Sequence, residues 1–287
     1  MRIKSFIMLL LLVTFSFIYC GGRKTSTNIS ISGSDTMLEL GKQWALLYEK
    51  QHKGQTIQIN GGGSGVGINA LIQGRIDLAN ASREIKPEEI KRLEKKKWKL
   101  ITYKTALDGL SIYINEKNPI NELSFEQLKR IYTGEITNWK QIGGKDSKII
   151  LYGRQNSSGT YAYFRDNVLL KKDYSPTVQE LSGTGSIVRK VAQDIDGIGY
   201  GGKAYTMGVK VVKVKVKDSD IAYAPTDENV ASGKYPLTRD LYIYTTDKVL
   251  NGKKKGDAVE KYIQWISSEE GQKIVKDVGY YPVKKTN

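Results

Sequence analysis

Two residue types that build most enzyme and metal centres are nearly missing: the chain has one cysteine, Cys20, and one histidine, His52, among 287 residues. A single thiol excludes an intramolecular disulfide, so the fold must rest on its own core, which a chain of this length can bury. One histidine, in a polar stretch just past a helical pattern, argues against a serine–histidine hydrolase and against a histidine-rich metal site. Neither G-x-x-x-x-G-K-[ST] nor G-x-S-x-G occurs, which removes that nucleotide loop and the hydrolase elbow. There is no internal repeat and no low-complexity tract. The net charge is +15, but its lysines are scattered over helix and strand faces without interleaved aromatics. Nucleic acid is therefore excluded as a partner, and the excess charge reads as solvated surface.

What is present begins with a leader. Arg2 and Lys4 precede an apolar run from Phe6 to Ile18, and Cys20-Gly21-Gly22 follows it. That run is about thirteen residues, short for a membrane span. Residues 1–20 thus read as a lipoprotein-type signal peptide with Cys20 as the lipidation site, and residues 21–27 as a tether. Ile18 and Tyr19 are larger than the residues that usually precede such a cysteine, so an uncleaved anchor and an ordinary signal peptide stand as alternatives.

The remainder repeats one order: strand, polar glycine or serine turn, helix. Asn28 to Ser32 alternates as a strand, and Met37, Leu40, Trp44, Leu47 and Tyr48 then share a helix face. Thr36 and Glu39 have capping-box spacing. Thr56 to Asn60 is a strand leading into Gly61 to Gly67 and a helix stopped by Gly74; Arg75 to Asn80 is a strand ending in Ala81-Ser82-Arg83; Pro87 opens a charged helix to about Lys97. Leu100 to Lys104 and Gly109 to Asn115 read as a strand pair. Ser124 and Gln127 form a second capping box at a helix running to Tyr132. Lys148 to Tyr152 is a strand, followed by a helix carrying Tyr161, Phe164, Val168 and Leu169, and later by a turn at Gly183 to Ser186. Val212, Val214 and Val216 alternate with lysines, as an edge strand protected by charge would. Leu241 to Thr245 is a strand, and a helix pair spans Ala258 to Val278. This alternation specifies an α/β fold with a parallel sheet, whose ligands sit beyond the carboxyl ends of the strands.

Four of the turns share one chemistry: Ser34 to Thr36, Gly61 to Gly65, Ala81 to Arg83, and Arg154 to Thr160. Each lies at a strand end and three lead into helices, so their N–H groups, hydroxyls and two arginines would converge on a tetrahedral oxyanion. Taken alone, Arg154 to Thr160 is equally a polar turn capped by Ser158. Asp77 and Asp108 are candidate acceptors for a ligand proton, with strand-end bonding to local backbone as the alternative.

Five segments, in order, resemble the substrate-binding protein of the bacterial phosphate ABC transporter. They are Gly33-Ser34-Asp35-Thr36-Met37, Gly61-Gly62-Gly63-Ser64-Gly65, Asp77-Leu78-Ala79-Asn80-Ala81-Ser82-Arg83, Thr133-Gly134-Glu135-Ile136-Thr137-Asn138-Trp139, and Arg154-Gln155-Asn156-Ser157-Ser158-Gly159-Thr160. The resemblance covers nearly the whole chain after the leader. It implies a periplasmic binding protein-like α/β fold (type II): two α/β domains with mainly parallel sheets, joined by a two-strand hinge and closing on one phosphate. The site would comprise Ser34, Thr36, Met37, Ser64, Ser82, Arg83, Arg154, Ser158, Gly159 and Thr160. Within it Thr36 offers its hydroxyl and N–H, Met37 its N–H, Ser64 a hydroxyl, residues 158–160 a helix-end cradle, and Arg154 the principal charge. Some members of that family carry an aspartate, here Arg83, that accepts the phosphate proton; Asp77 and Asp108 are the candidates to replace it.

The resulting expectation is phosphate capture without catalysis, metal or cofactor, by an exported monomer held at the membrane through acylated Cys20 on the periplasmic face or cell surface, beside permease subunits. Domain one is expected over residues 28–108 plus 236–287, and domain two over 109–235, with the strand crossings near Asp108 to Leu110 and Tyr235 to Leu237. Binding of sulfate, molybdate or an organic phosphate is the first alternative. A phosphatase on the same fold is another, against which the single histidine weighs, and a surface adhesin using the basic face is the last.

Overall fold

The structure, a computed structural model, describes residues 27–283. Cys20 and the expected signal peptide lie outside the described residues, as does all of the tether except Thr27. The strands are β1 (Thr27–Gly33), β2 (Gln55–Gly62), β3 (Leu78–Ala81), β4 (Leu100–Ile114), β5 (Glu122–Ser124), β6 (Ile150–Arg154), β7 (Gln179–Leu181), β8 (Gly197–Gly202), β9 (Lys210–Lys215) and β10 (Thr238–Thr246). The helices are α1 (Leu38–Gln51), α2 (Ser64–Gln73), α3 (Pro87–Glu94), α4 (Phe125–Tyr132), α5 (Gly159–Asn167), α6 (Thr184–Gln193), α7 (Asp227–Ala231), α8 (Asp247–Leu250), α9 (Lys253–Ile266) and α10 (Glu269–Val278).

The strand order is β2-β1-β3-β10-β4-β8-β6-β7, with β9 beside β4 and β5 beside β9. Pairing is parallel among β1, β2 and β3 and among β6, β7 and β8, and antiparallel where β10 and β4 cross the middle. The parallel sheet expected from the strand–turn–helix order thus holds within each half, and the long β4 joins the halves. Leu100 to Gly109 of β4 pairs with β10, whereas Leu110 to Ile114 pairs with β8. The Leu110 N–H donates to the Leu237 carbonyl at 2.8 Å, where the two chain passes meet.

Helices cover both faces of each half, as a doubly covered parallel sheet requires. In the β1 half, Leu40, Trp44 and Tyr48 of α1 pack with Val259, Tyr262 and Ile266 of α9 against Ile29 and Ile31. On the opposite face Ile68, Leu71 and Ile72 of α2 meet Ala79, Ala81 and Tyr244. In the β8 half, Leu128, Ile131 and Tyr132 of α4 join Phe164, Ile198 and Tyr200, while Ile187, Val188 and Val191 of α6 cover Tyr113 and Tyr152. Fully burying each large aliphatic of this kind contributes about 1.5–3 kcal/mol.

Several local expectations hold in detail. Ser124 and Gln127 form their capping box, Gly74 ends α2 in the left-handed conformation, and Ser158 caps α5 by accepting from Thr160 and Tyr161. Others change for physical reasons. The expected strand pair at Leu100 to Asn115 is one continuous strand of 15 residues, because Ala106 and Leu107, paired with Leu241 and Asp240, carry the ladder across the gap. The valine–lysine strand is not an edge: β9 lies between β4 and β5, with Val212 and Val214 fully buried. Thr36 does not cap α1, since its hydroxyl is engaged elsewhere; a short 3₁₀ turn at Asp35–Met37 opens that helix instead.

Candidate functional site

The parallel strands place their carboxyl ends on one side of each half, and the four sequence-derived turns leave from those ends. Backbone bonds fix their spacing. Ser34 N–H donates to Asn80 O at 2.8 Å, Gly63 N–H to Gly33 O at 2.9 Å, and Gly65 N–H crosses between the halves to Ser157 O at 2.9 Å. Gly63 has φ of 96°, a left-handed value, and a Cβ there would lie 2.6 Å from Ser157 O. Glycine at this position lets the two backbones touch.

Inside this contact the hydroxyls converge. Thr36 Oγ1 and Thr160 Oγ1 are 2.9 Å apart across the two halves. Ser34 Oγ donates to Ser82 Oγ at 2.9 Å, Ser82 N–H donates to Ser64 Oγ at 3.0 Å, and the Ser64 and Ser82 hydroxyls lie 3.4 Å apart. All five side chains are buried. Gly159 sits against them so closely that a Cβ would lie 2.4 Å from Ser64 Oγ and 2.7 Å from Ser82 Oγ. Met37 is buried, and its N–H donates to Ser34 O in the 3₁₀ turn. Such a set of buried, mutually bonded hydroxyls beside the N-termini of α2 and α5 is chemically suited to accept an oxyanion.

Arg154 is 2 % exposed and reaches across the halves. Its Nη2 donates to Asp35 Oδ2 at 2.7 Å and its Nη1 to Thr184 Oγ1 at 2.9 Å, while Nε is buried without a partner among the described residues. Burial lowers the Arg154 pKa from its ordinary value, and the Asp35 carboxylate opposes that shift. Asp35 Oδ1 accepts from Gly62 N–H at 2.9 Å, so the pair also ties the glycine turn to β6.

Other sequence candidates are placed differently. Arg83 turns to α3: its Nη1 and Nη2 reach Glu89 at 2.8 and 2.6 Å, and Nη1 also donates to Glu84 O. The structure does not bring Asp77 to the hydroxyls. It precedes β3 at the opposite end from Ser82, and accepts there from Ser30 N–H, Ser30 Oγ and Lys255 Nζ. Asp108 is fully buried near the cluster, but through another side chain that sequence reading missed.

That side chain is Arg239. It lies directly opposite Asp108 in the β10–β4 ladder, so both project from the same face. Nε and Nη2 donate to Asp108 Oδ2 at 3.0 and 2.8 Å, Nη2 also reaches Thr160 Oγ1 at 3.0 Å and Thr36 Oγ1 at 3.4 Å, and Nη1 donates to Ser82 O at 3.1 Å. A signal existed: Leu237, Arg239, Leu241, Ile243 and Thr245 alternate as one buried strand face, and a charge on that face is conspicuous. Starting the strand at Leu241 hid it. Asp35 and Thr184 were likewise missed as the partners of Arg154. Among the described residues no cluster of acidic, histidine or cysteine side chains suits a metal ion, and no helix is long and apolar enough to cross a membrane.

Comparison with known proteins points the same way as the geometry. Residues 21–270 match the PBP superfamily domain. The chain is 34% identical over 273 residues to the phosphate-binding protein PstS of Pseudomonas aeruginosa, covering 90% of this chain and 84% of that protein. It is 35% identical over 248 residues to the phosphate-binding protein PstS of Staphylococcus haemolyticus, covering 84% and 75%. Among solved structures, a phosphate ABC transporter substrate-binding protein with bound phosphate from Clostridium perfringens superposes with a TM-score of 0.80 at 32% identity, covering 90% of this chain and 100% of that one.

Proposed function

Since the chain belongs to the PBP superfamily, and within it to the phosphate-binding proteins of ABC transporters, we propose that it captures inorganic phosphate between its two halves and delivers it to a permease. The observation that carries this reading is the buried meeting of Thr36 and Thr160, 2.9 Å apart, from opposite halves of the sheet. Hydroxyls brought together from two bodies form a site only when the bodies close, which is what a capture protein needs.

In this reading residues 28–108 plus 236–287 are one lobe and residues 109–235 the other. Asp108 to Leu110 and Tyr235 to Leu237 act as the hinge strands. Phosphate enters among Ser34, Thr36, Ser64, Ser82 and Thr160, displacing their mutual bonds, while the 158–160 helix end contributes backbone donors and Met37 N–H turns from Ser34 O toward the ligand. Arg154 supplies charge, and its buried, unpartnered Nε is a donor that an oxyanion would satisfy. Arg83 lines the wall beside Gly65, where a Cβ would stand 3.8 Å from its Nη2. The protein binds without turnover, works as a monomer, and is exported and held at the membrane through acylated Cys20.

Isothermal titration of the protein with phosphate tests the central claim, and saturable binding of one phosphate per chain is expected. Failure to bind phosphate would remove this function. Mass spectrometry of membrane-extracted protein checks the lipid: a diacylglyceryl mass on a peptide beginning at Cys20 is expected, and an unmodified Cys20 would refute the anchor.

A further inference from the structure

The end of lobe one that points away from the hydroxyl cluster gathers cations from distant parts of the chain. β1 and β2 start there, with Thr27 N–H donating to Gly54 O at 3.0 Å, and β4 starts there with Leu100 opposite Thr246 of β10. Gly74 ends α2 against Trp98, whose ring a Cβ at that glycine would meet at 3.0 Å, so Arg75 adjoins the run Lys95 to Lys99 that follows α3. Lys99 in turn joins α8: its N–H donates to Asp247 Oδ1 at 2.8 Å, and its carbonyl accepts from Asp247 N–H at 3.0 Å. The start of α9 meets the same end, where Lys255 Nζ reaches Asp77 Oδ1 at 3.0 Å.

Arg75, Lys95, Lys97, Lys99, Lys248 and Lys253 are all exposed there, and none of these side chains has an ion-pair or hydrogen-bond partner among the described residues. Lys96 lies 4.7 Å above the ring of the half-buried Trp98. Carboxylates are fewer at this end. Asp77 is buried and paired with Lys255, Asp247 is held by the Lys99 N–H, and Glu94 and Asp257 are exposed. Unpaired like charges brought together repel one another in the free protein, and a broad anionic surface removes that cost. The cations stand on four separate turns around one tryptophan, not along a groove, which suits a charged plane better than a nucleic-acid strand. A tryptophan with an apolar body and a lysine beside it is the combination that sits at lipid headgroup level.

Resting on the anchor reading above, we propose that this end of lobe one seats on an anionic phospholipid surface. The chain enters lobe one at Thr27, and the residues from Cys20 to Thr27 span at most about 25 Å when fully extended. An acylated Cys20 therefore holds this end close to the bilayer, where its cations meet headgroup phosphates within a Debye length of about 8 Å. The turns of lobe one that build the hydroxyl cluster leave from the opposite ends of β1, β2 and β3. A seated lobe one thus keeps the cleft and the other lobe clear of the membrane.

The test is co-sedimentation of the full chain with vesicles of phosphatidylcholine and with vesicles in which about one-quarter of the lipid is phosphatidylglycerol. Cys20→Ala removes the acylation site from every sample, so any pull from the leader is common to all. Binding to the anionic vesicles is expected to exceed binding to the neutral ones, and to lose that excess in about 0.5 M salt. Lys95→Gln, Lys99→Gln and Lys248→Gln together are expected to weaken anionic-vesicle binding by about 10- to 100-fold, with phosphate titration unchanged as the check on folding. The set Lys145→Gln, Lys190→Gln and Lys217→Gln, exposed on the other lobe, removes the same charge and is expected to have little effect. Undiminished binding by the first set, or equal losses from both sets, overturns the proposal. So does displacement of the protein from anionic vesicles by duplex DNA at equal phosphate concentration, which would assign this end to nucleic acid. An unmodified Cys20 in the native protein refutes the anchor alone and leaves the vesicle comparison standing.

Discussion

Thr36 and Thr160 are 124 positions apart in the chain, and their hydroxyl oxygens meet at 2.9 Å in a fully buried contact between the two halves of the sheet. Neither halves' core depends on this bond. Thr160→Val keeps the shape and removes the hydroxyl, so phosphate affinity is expected to fall by about 10- to 100-fold, the worth of one hydrogen bond to a charged group. The unliganded melting temperature should shift little by comparison. Titration and thermal denaturation with and without phosphate check both, and an unchanged affinity would place the anion elsewhere.

Gly159 packs so that an added methyl group would overlap the Ser64 and Ser82 hydroxyls, which belong to the other half. Gly159→Ala is therefore expected to prop the halves apart while leaving each core intact. Small-angle scattering should show compaction on adding phosphate for the wild type and none for the variant, with affinity at least about 10-fold weaker. Normal compaction in the variant would show that closure does not bring these groups together.

The Arg154–Asp35 pair joins the halves at 2.7 Å with only 2% and 15% of the side chains exposed. Arg154→Met leaves the Asp35 carboxylate without its cation, which is expected to destabilise by about 3 kcal/mol. Adding Asp35→Asn should recover most of that stability but not the phosphate affinity, because charge and donors are still missing. Urea denaturation and titration of the two variants separate these effects; recovery of affinity in the double variant would assign Arg154 a purely structural role.

Arg83 and Glu89 bind in a fork, with the closest contact 2.6 Å. Burial pushes the Glu89 carboxyl upward, but its bonds from Arg83 and from Lys86 N–H outweigh this and hold it below the ordinary value of 4.5. A folded pKa below the unfolded one stabilises fully above the unfolded value, and that contribution disappears as pH falls through the folded value. The stability advantage of wild type over Glu89→Gln is thus expected to be constant from pH 7 to about 5.5 and to shrink in more acid solution. Denaturant titrations across that range measure it, and an advantage that grows on acidification would contradict the assignment.

Ser124, Gly74 and Ser158 show how much was legible without coordinates. Caps, stops and turns involve residues three or four apart, so their chemistry is complete within a short window. The strand–turn–helix order was equally local, and with it came the α/β class and the polar turns at strand ends. Segment boundaries suffered where a strand continued past its apolar stretch: β4 runs on through Ala106, Leu107 and Asp108, and β10 begins at Thr238, because ladder partners sustain them. The lysines of β9 suggested an edge only because the strands on either side come from distant parts of the chain.

The four turns, with Ser34, Thr36, Ser64, Ser82 and the Arg154 to Thr160 stretch, were legible in the sequence alone: glycine, small hydroxyls and helix starts at strand ends mark them as polar turns rich in hydrogen-bond donors. Which guanidinium faces the hydroxyls was decided by tertiary structure. Arg154, prominent in sequence, is drawn to Asp35 and Thr184, and Arg83 to Glu89. Arg239 enters the cluster because the β10–β4 register sets it opposite Asp108. A buried arginine points where its carboxylate holds it, and register across a sheet is a long-range property that no local pattern contains.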